Sequence, residues 1–156
     1  MKLKSELKRL LIFESLSGVG FIVAYFVWIQ QFGIQFNATV FYPILCCSVI
    51  LLQGAIYWGI CLNRINGKKR RTKKIVVIYR VFRFMDLIIL LFYFLIIYNS
   101  GRFERDLLFG IGIYLFAILE YINYFFFRLS YPISELFIRF IQLKFDKSQI
   151  AKEIKR

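Results

Sequence analysis

The sequence predicts an all-α fold: a polytopic transmembrane four-helix bundle with both termini on the cytoplasmic side, followed by an amphipathic cytoplasmic or interfacial helix. Three observations carry this. Four apolar runs are each long enough, at 1.5 Å rise per residue, to cross a hydrocarbon core of about 30 Å. Lys and Arg fall in blocks before, between and after these runs. The 156 residues are 60% hydrophobic and 20% aromatic, more apolar surface than a soluble core of this size can hide.

The first run spans about residues 10–31. The basic start Met1–Arg9 holds four Lys or Arg against one acid. A secretory signal has a shorter apolar stretch and a small-residue cleavage site. This run instead contains Glu14 and ends in Trp28-Ile-Gln-Gln31, and is expected to be a retained membrane helix. Gly18 and Gly20 offer close approach to a neighbouring helix. The turn 32–38 is uncharged. The second run, about 39–62, tolerates Pro43 in its first turns, where a missing N–H does least harm. Tyr42, Tyr57 and Trp58 suit interfacial anchors.

Between Arg64 and Lys74 stand seven Lys or Arg and no acid. By the positive-inside rule this loop is cytoplasmic. The third run spans about 75–98 and the fourth about 106–127, so domain one is 1–128. Gly110-Ile-Gly112 reads as a packing notch. The tail 129–156 breaks at Tyr131-Pro132. Ile133, Leu136, Phe137, Phe140 and Ile141 then share one helical face. Asp146-Lys-Ser-Gln149 resembles a capping box before a short last helix.

The net charge of +13 sits in the basic blocks, so the bilayer and its anionic headgroups are the expected partners, with nucleic acid ranked well below them. The residues expected to meet anionic lipid, or the acidic surface of a protein partner, are Lys68, Lys69, Arg70, Arg71, Lys73, Lys74, Arg139 and Lys144. The chain has no histidine, which removes the commonest general base and transition-metal ligand. Cys46, Cys47 and Cys61 do not have metal-ligand spacing and read as small packing residues. No phosphate-binding loop, zinc-protease motif or nucleophile elbow occurs. No cofactor or metal is expected.

The informative residues are charges within spans: Glu14, Arg80, Arg83, Asp86 and Glu120. Such charges are costly and tend to face the bundle interior, paired. With span midpoints at residues 20, 86 and 117, Glu14 and Arg80 both lie about 9 Å to the cytoplasmic side, and Arg83 and Glu120 about 4–5 Å. Matching depths predict Glu14–Arg80 and Glu120–Arg83 pairs, with Asn123 and Tyr124 supporting Glu120 and Asp86 left beside Arg83.

Glu120-Tyr-Ile-Asn-Tyr124, Arg128-Leu-Ser-Tyr131 and Ile150-Ala-Lys-Glu-Ile-Lys-Arg156 resemble the closing region of a group of small bacterial four-helix membrane proteins. The resemblance implies a bacterial membrane location, points to Glu120, Tyr121 and Asn123, and implies no particular chemistry. A glutamate in the first of four spans also resembles the small multidrug resistance transporters, which use one for proton–drug exchange. This chain is longer than theirs, has a basic loop and tail, and lacks their small-residue pattern around the acid.

The leading expectation is a non-enzymatic accessory or interaction protein of the cell membrane, as a homodimer or with a membrane protein partner. A proton- or cation-coupled transporter or channel using the intramembrane carboxylates is the alternative. A lipid-modifying enzyme, running on Asp, Glu, Lys, Tyr or Cys chemistry, ranks third.

Overall fold

The computed structural model describes residues 2–33, 35–67, 73–100, 105–127 and 146–154. Its elements are α1 (Lys2–Phe32), α2 (Ala38–Ile65), α3 (Lys73–Ser100), α4 (Arg105–Phe125) and the short α5 (Gln149–Ile154). The first four are long and apolar enough to cross a membrane. They coincide with the four expected spans, and α1 to α3 extend past them. At 31 residues, α1 is about 46 Å long and overshoots a 30 Å core. The expected amphipathic helix, with Arg139 and Lys144, lies outside the described residues, as do Lys68, Lys69, Arg70 and Arg71.

α2 is the centre of the bundle. Half of its apolar window is buried, against 11% for α1, 17% for α3 and 33% for α4. α1, α3 and α4 all pack on it. The outer faces of α1 and α3 expose Phe13, Leu16, Val23, Phe84, Leu91 and Leu95. Lipid covers such a surface, which water would not tolerate.

Lipid tails are as apolar as leucine, so helices in a bilayer associate through close packing and hydrogen bonds. Tyrosine supplies most of those bonds here. Tyr42 donates to the Ile89 carbonyl at 2.8 Å, Tyr79 to Gln53 at 2.9 Å and Tyr114 to Leu90 at 3.0 Å. Tyr42 and Tyr57 were expected at the interface. Tyr42 instead reaches across to α3, and Tyr57 is buried.

One junction shows why the sequence packs this way. Pro43 has no N–H, so the Thr39 carbonyl four residues earlier loses its helical donor. The Tyr93 hydroxyl replaces it at 2.8 Å. Gly110 of α4 sits against the same carbonyl, and a Cβ there would collide with it and stand 2.8 Å from the Tyr93 oxygen. Gly112 has open space around it, so only the first half of the expected notch is used. Likewise Gly18 packs tightly on Leu52 and the Ser48 carbonyl, while Gly20 touches nothing.

The end of the bundle away from the basic loop is closed by Asn37, which caps α2. Its Oδ1 accepts from the Thr39 N–H at 3.0 Å, and its Nδ2 donates to Asp106 of α4 at 3.2 Å. Gly33, at φ +61°, makes the left-handed turn out of α1.

Two predictions follow from the Thr39 junction. Gly110→Ala should destabilise the protein by about 1–3 kcal/mol, while Gly112→Ala should be neutral or slightly stabilising; thermal unfolding in detergent micelles compares them. Tyr93→Phe should cost about 1–3 kcal/mol by orphaning a buried carbonyl. In a Pro43→Ala background, which restores the helical donor, the same change should cost distinctly less. Equal costs in both backgrounds would show that the hydroxyl does not stand in for the missing N–H.

Candidate functional site at the basic end of the bundle

The start of α1, the end of α2, the end of α4 and the segment around α5 enclose a cavity of about 610 Å³. Leu3, Leu7 and Leu10 of α1 and Ile65 of α2 give it apolar walls. Glu6, Arg9 and Arg64 bring charge to its outer part, and Tyr57, Trp58 and Tyr124 bring aromatic rings deeper in. Glu14 also lines it, two turns beyond Leu7 along α1.

Glu14 is anchored through one oxygen, and its Oε2 has no hydrogen-bond partner among the described residues. The Trp58 indole donates to its Oε1 at 2.8 Å. Its Oε2 and the Tyr124 hydroxyl crowd the bare face of Gly54: a Cβ there would stand 2.6 Å from the former and 2.5 Å from the latter. Glycine at 54 is therefore what lets α1 and α4 bring these two groups together over α2. Glu120 lies one turn before Tyr124 on α4. The Asn123 amide donates to Glu120 Oε2 at 3.3 Å.

The expected Glu14–Arg80 and Glu120–Arg83 pairs are not formed. Equal depth does not make neighbours: α2 lies between α1 and α3, so Glu14 meets α2 and α4 instead. Arg80 is exposed and donates to the Ile154 carbonyl of α5 at 3.3 Å. The Arg83 guanidinium stacks 4.3 Å from the Phe126 ring, a cation–π contact. Its carbonyl accepts from Tyr121 at 2.9 Å. Asn123 supports Glu120 as expected, whereas Tyr124 turns to Glu14.

Asp86 is 1% exposed and faces α2, not Arg83. Gln53 donates to its Oδ1 at 2.9 Å. Asp86 Oδ2 and Gln53 Oε1 have no hydrogen-bond partner among the described residues. Asp86 thus forms a second polar centre, separate from the cavity. Of the residues expected at the lipid surface, Lys74 is exposed on the first turn of α3, and Lys73 opens that helix.

Gln53 and Trp58 were not foreseen as site residues. A glutamine inside an apolar run is the signal for the first. For Trp58 the indole N–H needs a partner when buried, and an interfacial position satisfied that need on paper. Cys46 and Cys47 are buried packing residues as expected, while Cys61 is half-buried on the cavity wall. No group of three or more His, Cys, Asp or Glu among the described residues is arranged to hold a metal ion.

No protein-family model, curated protein or solved structure matches the chain.

Trp58→Phe should lower stability by about 0.6–1.7 kcal/mol, from the average to the largest side-chain hydrogen bond between membrane helices, and Glu14→Met, which removes the acceptor, should cost less in that background than in the wild type, because the two act through one bond. A double-mutant cycle of thermal unfolding reads the coupling, and simple additivity would place Glu14 and Trp58 in separate roles.

Proposed function

We propose that this chain is a non-enzymatic integral membrane protein of the cell membrane that takes a small amphipathic molecule into the cavity at its basic end. The observation that carries this reading is the cavity itself. Its volume of about 610 Å³ lies within the 300–1,000 Å³ of small-molecule sites, and it grades from leucine walls to a carboxyl group. Arg64 is paired with Glu153, Arg80 with a carbonyl and Arg83 with a ring. Glu14 on the cavity lining therefore has none of these three cations beside it, which favours a ligand whose polar end is positive. The basic blocks support an orientation with both termini cytoplasmic. Lys73 and Lys74, with Lys68, Lys69, Arg70, Arg71, Arg139 and Lys144, would then meet anionic headgroups, each worth about 1 kcal/mol near the surface.

Thermal unfolding of the purified protein with sub-micellar dodecylamine, compared with dodecanol, tests the reading. The amine should stabilise by about 2.7 kcal/mol at a hundredfold excess over its Kd, and the alcohol should not. Leu10→Trp, which fills the cavity, and Glu14→Gln should each remove the effect. Equal stabilisation of wild type and Leu10→Trp would place binding elsewhere.

A second reading, proton- or cation-coupled transport, is favoured by three carboxyl groups within spans, Glu14, Asp86 and Glu120, that form no ion pair with Arg80 or Arg83 among the described residues. Of the three only Glu14 lines the cavity, so this reading requires a second copy of the chain to complete a path. Proton flux into proteoliposomes should vanish in Glu14→Gln, Asp86→Asn or Glu120→Gln with expression unchanged. Loss of stability alone in all three would make the charges scaffolding.

A further inference from the structure

We propose that Ser148–Ile154 is a latch, a docked piece of the chain's own tail that walls the cavity at the basic end and whose release opens it. The proposal rests on the reading of that cavity as a binding site, because only then does opening it matter.

Ser148, Gln149 and Ile150 form part of the cavity lining. The segment behind them is not an independent element. α5 has six residues, well below the length at which an isolated helix persists in water, so its shape depends on its seat. Ser148, rather than the expected Asp146, caps it: Ser148 Oγ accepts from the Ala151 N–H at 3.0 Å. The same hydroxyl donates to the Tyr124 carbonyl, and the Ser148 N–H donates to the Phe126 carbonyl at 3.1 Å. These acceptors lie where α4 runs out of helical donors, which is why a passing strand of chain can bond there.

The far end of α5 is held by charge. Glu153 pairs with Arg64 of α2, and Arg80 of α3 donates to the Ile154 carbonyl at 3.3 Å. A cation at a helix C-terminus also suits the helix dipole. The apolar part of the seat is Ile150, Ala151 and Ile154, which are buried, the two isoleucines joining the core around Tyr57, Tyr79 and Phe125. Arg64 and Glu153 remain 19% and 20% exposed. A partly buried ion pair is weakened modestly by salt and strongly by reversing one of its charges. Tyr124 connects the two regions, with its carbonyl on Ser148 and its side chain against Glu14.

Cys61 on the cavity wall is a native reporter, since Cys46 and Cys47 are 1% and 0% exposed. The test uses the full chain in lipid nanodiscs and follows modification of Cys61 by a polar maleimide, assigned by peptide mass. Glu153→Arg should raise the rate about tenfold, equal to ~1.4 kcal/mol of lost docking, and Arg64→Glu with Glu153→Arg should restore it. In the wild type the rate should climb with ionic strength, a measurement that does not depend on any variant folding. A rate unmoved by Glu153→Arg and by salt, or not restored by the charge swap, overturns the latch. Dodecylamine binding measured in parallel separates the two ideas: access that changes without binding leaves the latch and removes the ligand, and binding with unchanged access does the reverse.

Discussion

Phenolic hydroxyls that reach from one helix to the backbone of another hold this bundle together. In lipid the apolar faces of the helices gain little by meeting one another, so each junction needs a bond or a close fit. A helix carbonyl has two lone pairs and can accept a second donor without giving up its own. Tyr42, Tyr79, Tyr114 and Tyr121 use that spare capacity. Tyr93 goes further and fills a vacancy that Pro43 creates. The proline is tolerated in the second turn of α2 because another helix supplies the missing donor, and Gly110 lets α4 close on the same spot.

That arrangement explains what could be read from the sequence. Span number and approximate limits follow from hydropathy, which is a property of one helix at a time. The buried cysteines and the use of Gly18 and Gly110 followed from residue size. Helix neighbours did not follow. Depth along the membrane can be counted at 1.5 Å per residue, but the angle around each helix and the choice of central helix depend on all four at once. Matching Glu14 to Arg80 by depth therefore failed, since α2 stands between them. Tyr42 and Trp58 failed for a related reason. An aromatic ring with a polar tip is equally content at a headgroup or against a buried partner, and only the packing decides.

The consequence for the candidate site is a separation of charges that the sequence would not suggest. Arginines that were expected to neutralise the carboxyl groups serve other contacts: Arg80 and Arg64 hold α5, and Arg83 lies on Phe126. The acids are supported by neutral donors instead, Trp58 for Glu14, Asn123 for Glu120 and Gln53 for Asp86. A neutral donor orients a carboxyl group without cancelling its charge. An arginine would do both. The carboxyl groups and the arginines thus serve different neighbours, Glu14 at the cavity lining and Arg64 and Arg80 at the tail.

Gly54 is where these parts meet. It sits on the most buried helix, and its missing side chain makes room for Tyr124 and Glu14 together. A methyl group there would push Tyr124 outward, and Tyr124 carries the carbonyl on which Ser148 rests. Movement of the tail and the position of the Glu14 carboxyl are therefore mechanically connected through one residue of α4. Packed interiors transmit such displacements because they have little free volume to absorb them. Under the proposed latch, release of the Arg64–Glu153 pair would act on Glu14 through Ser148 and the last turn of α4, which contacts both.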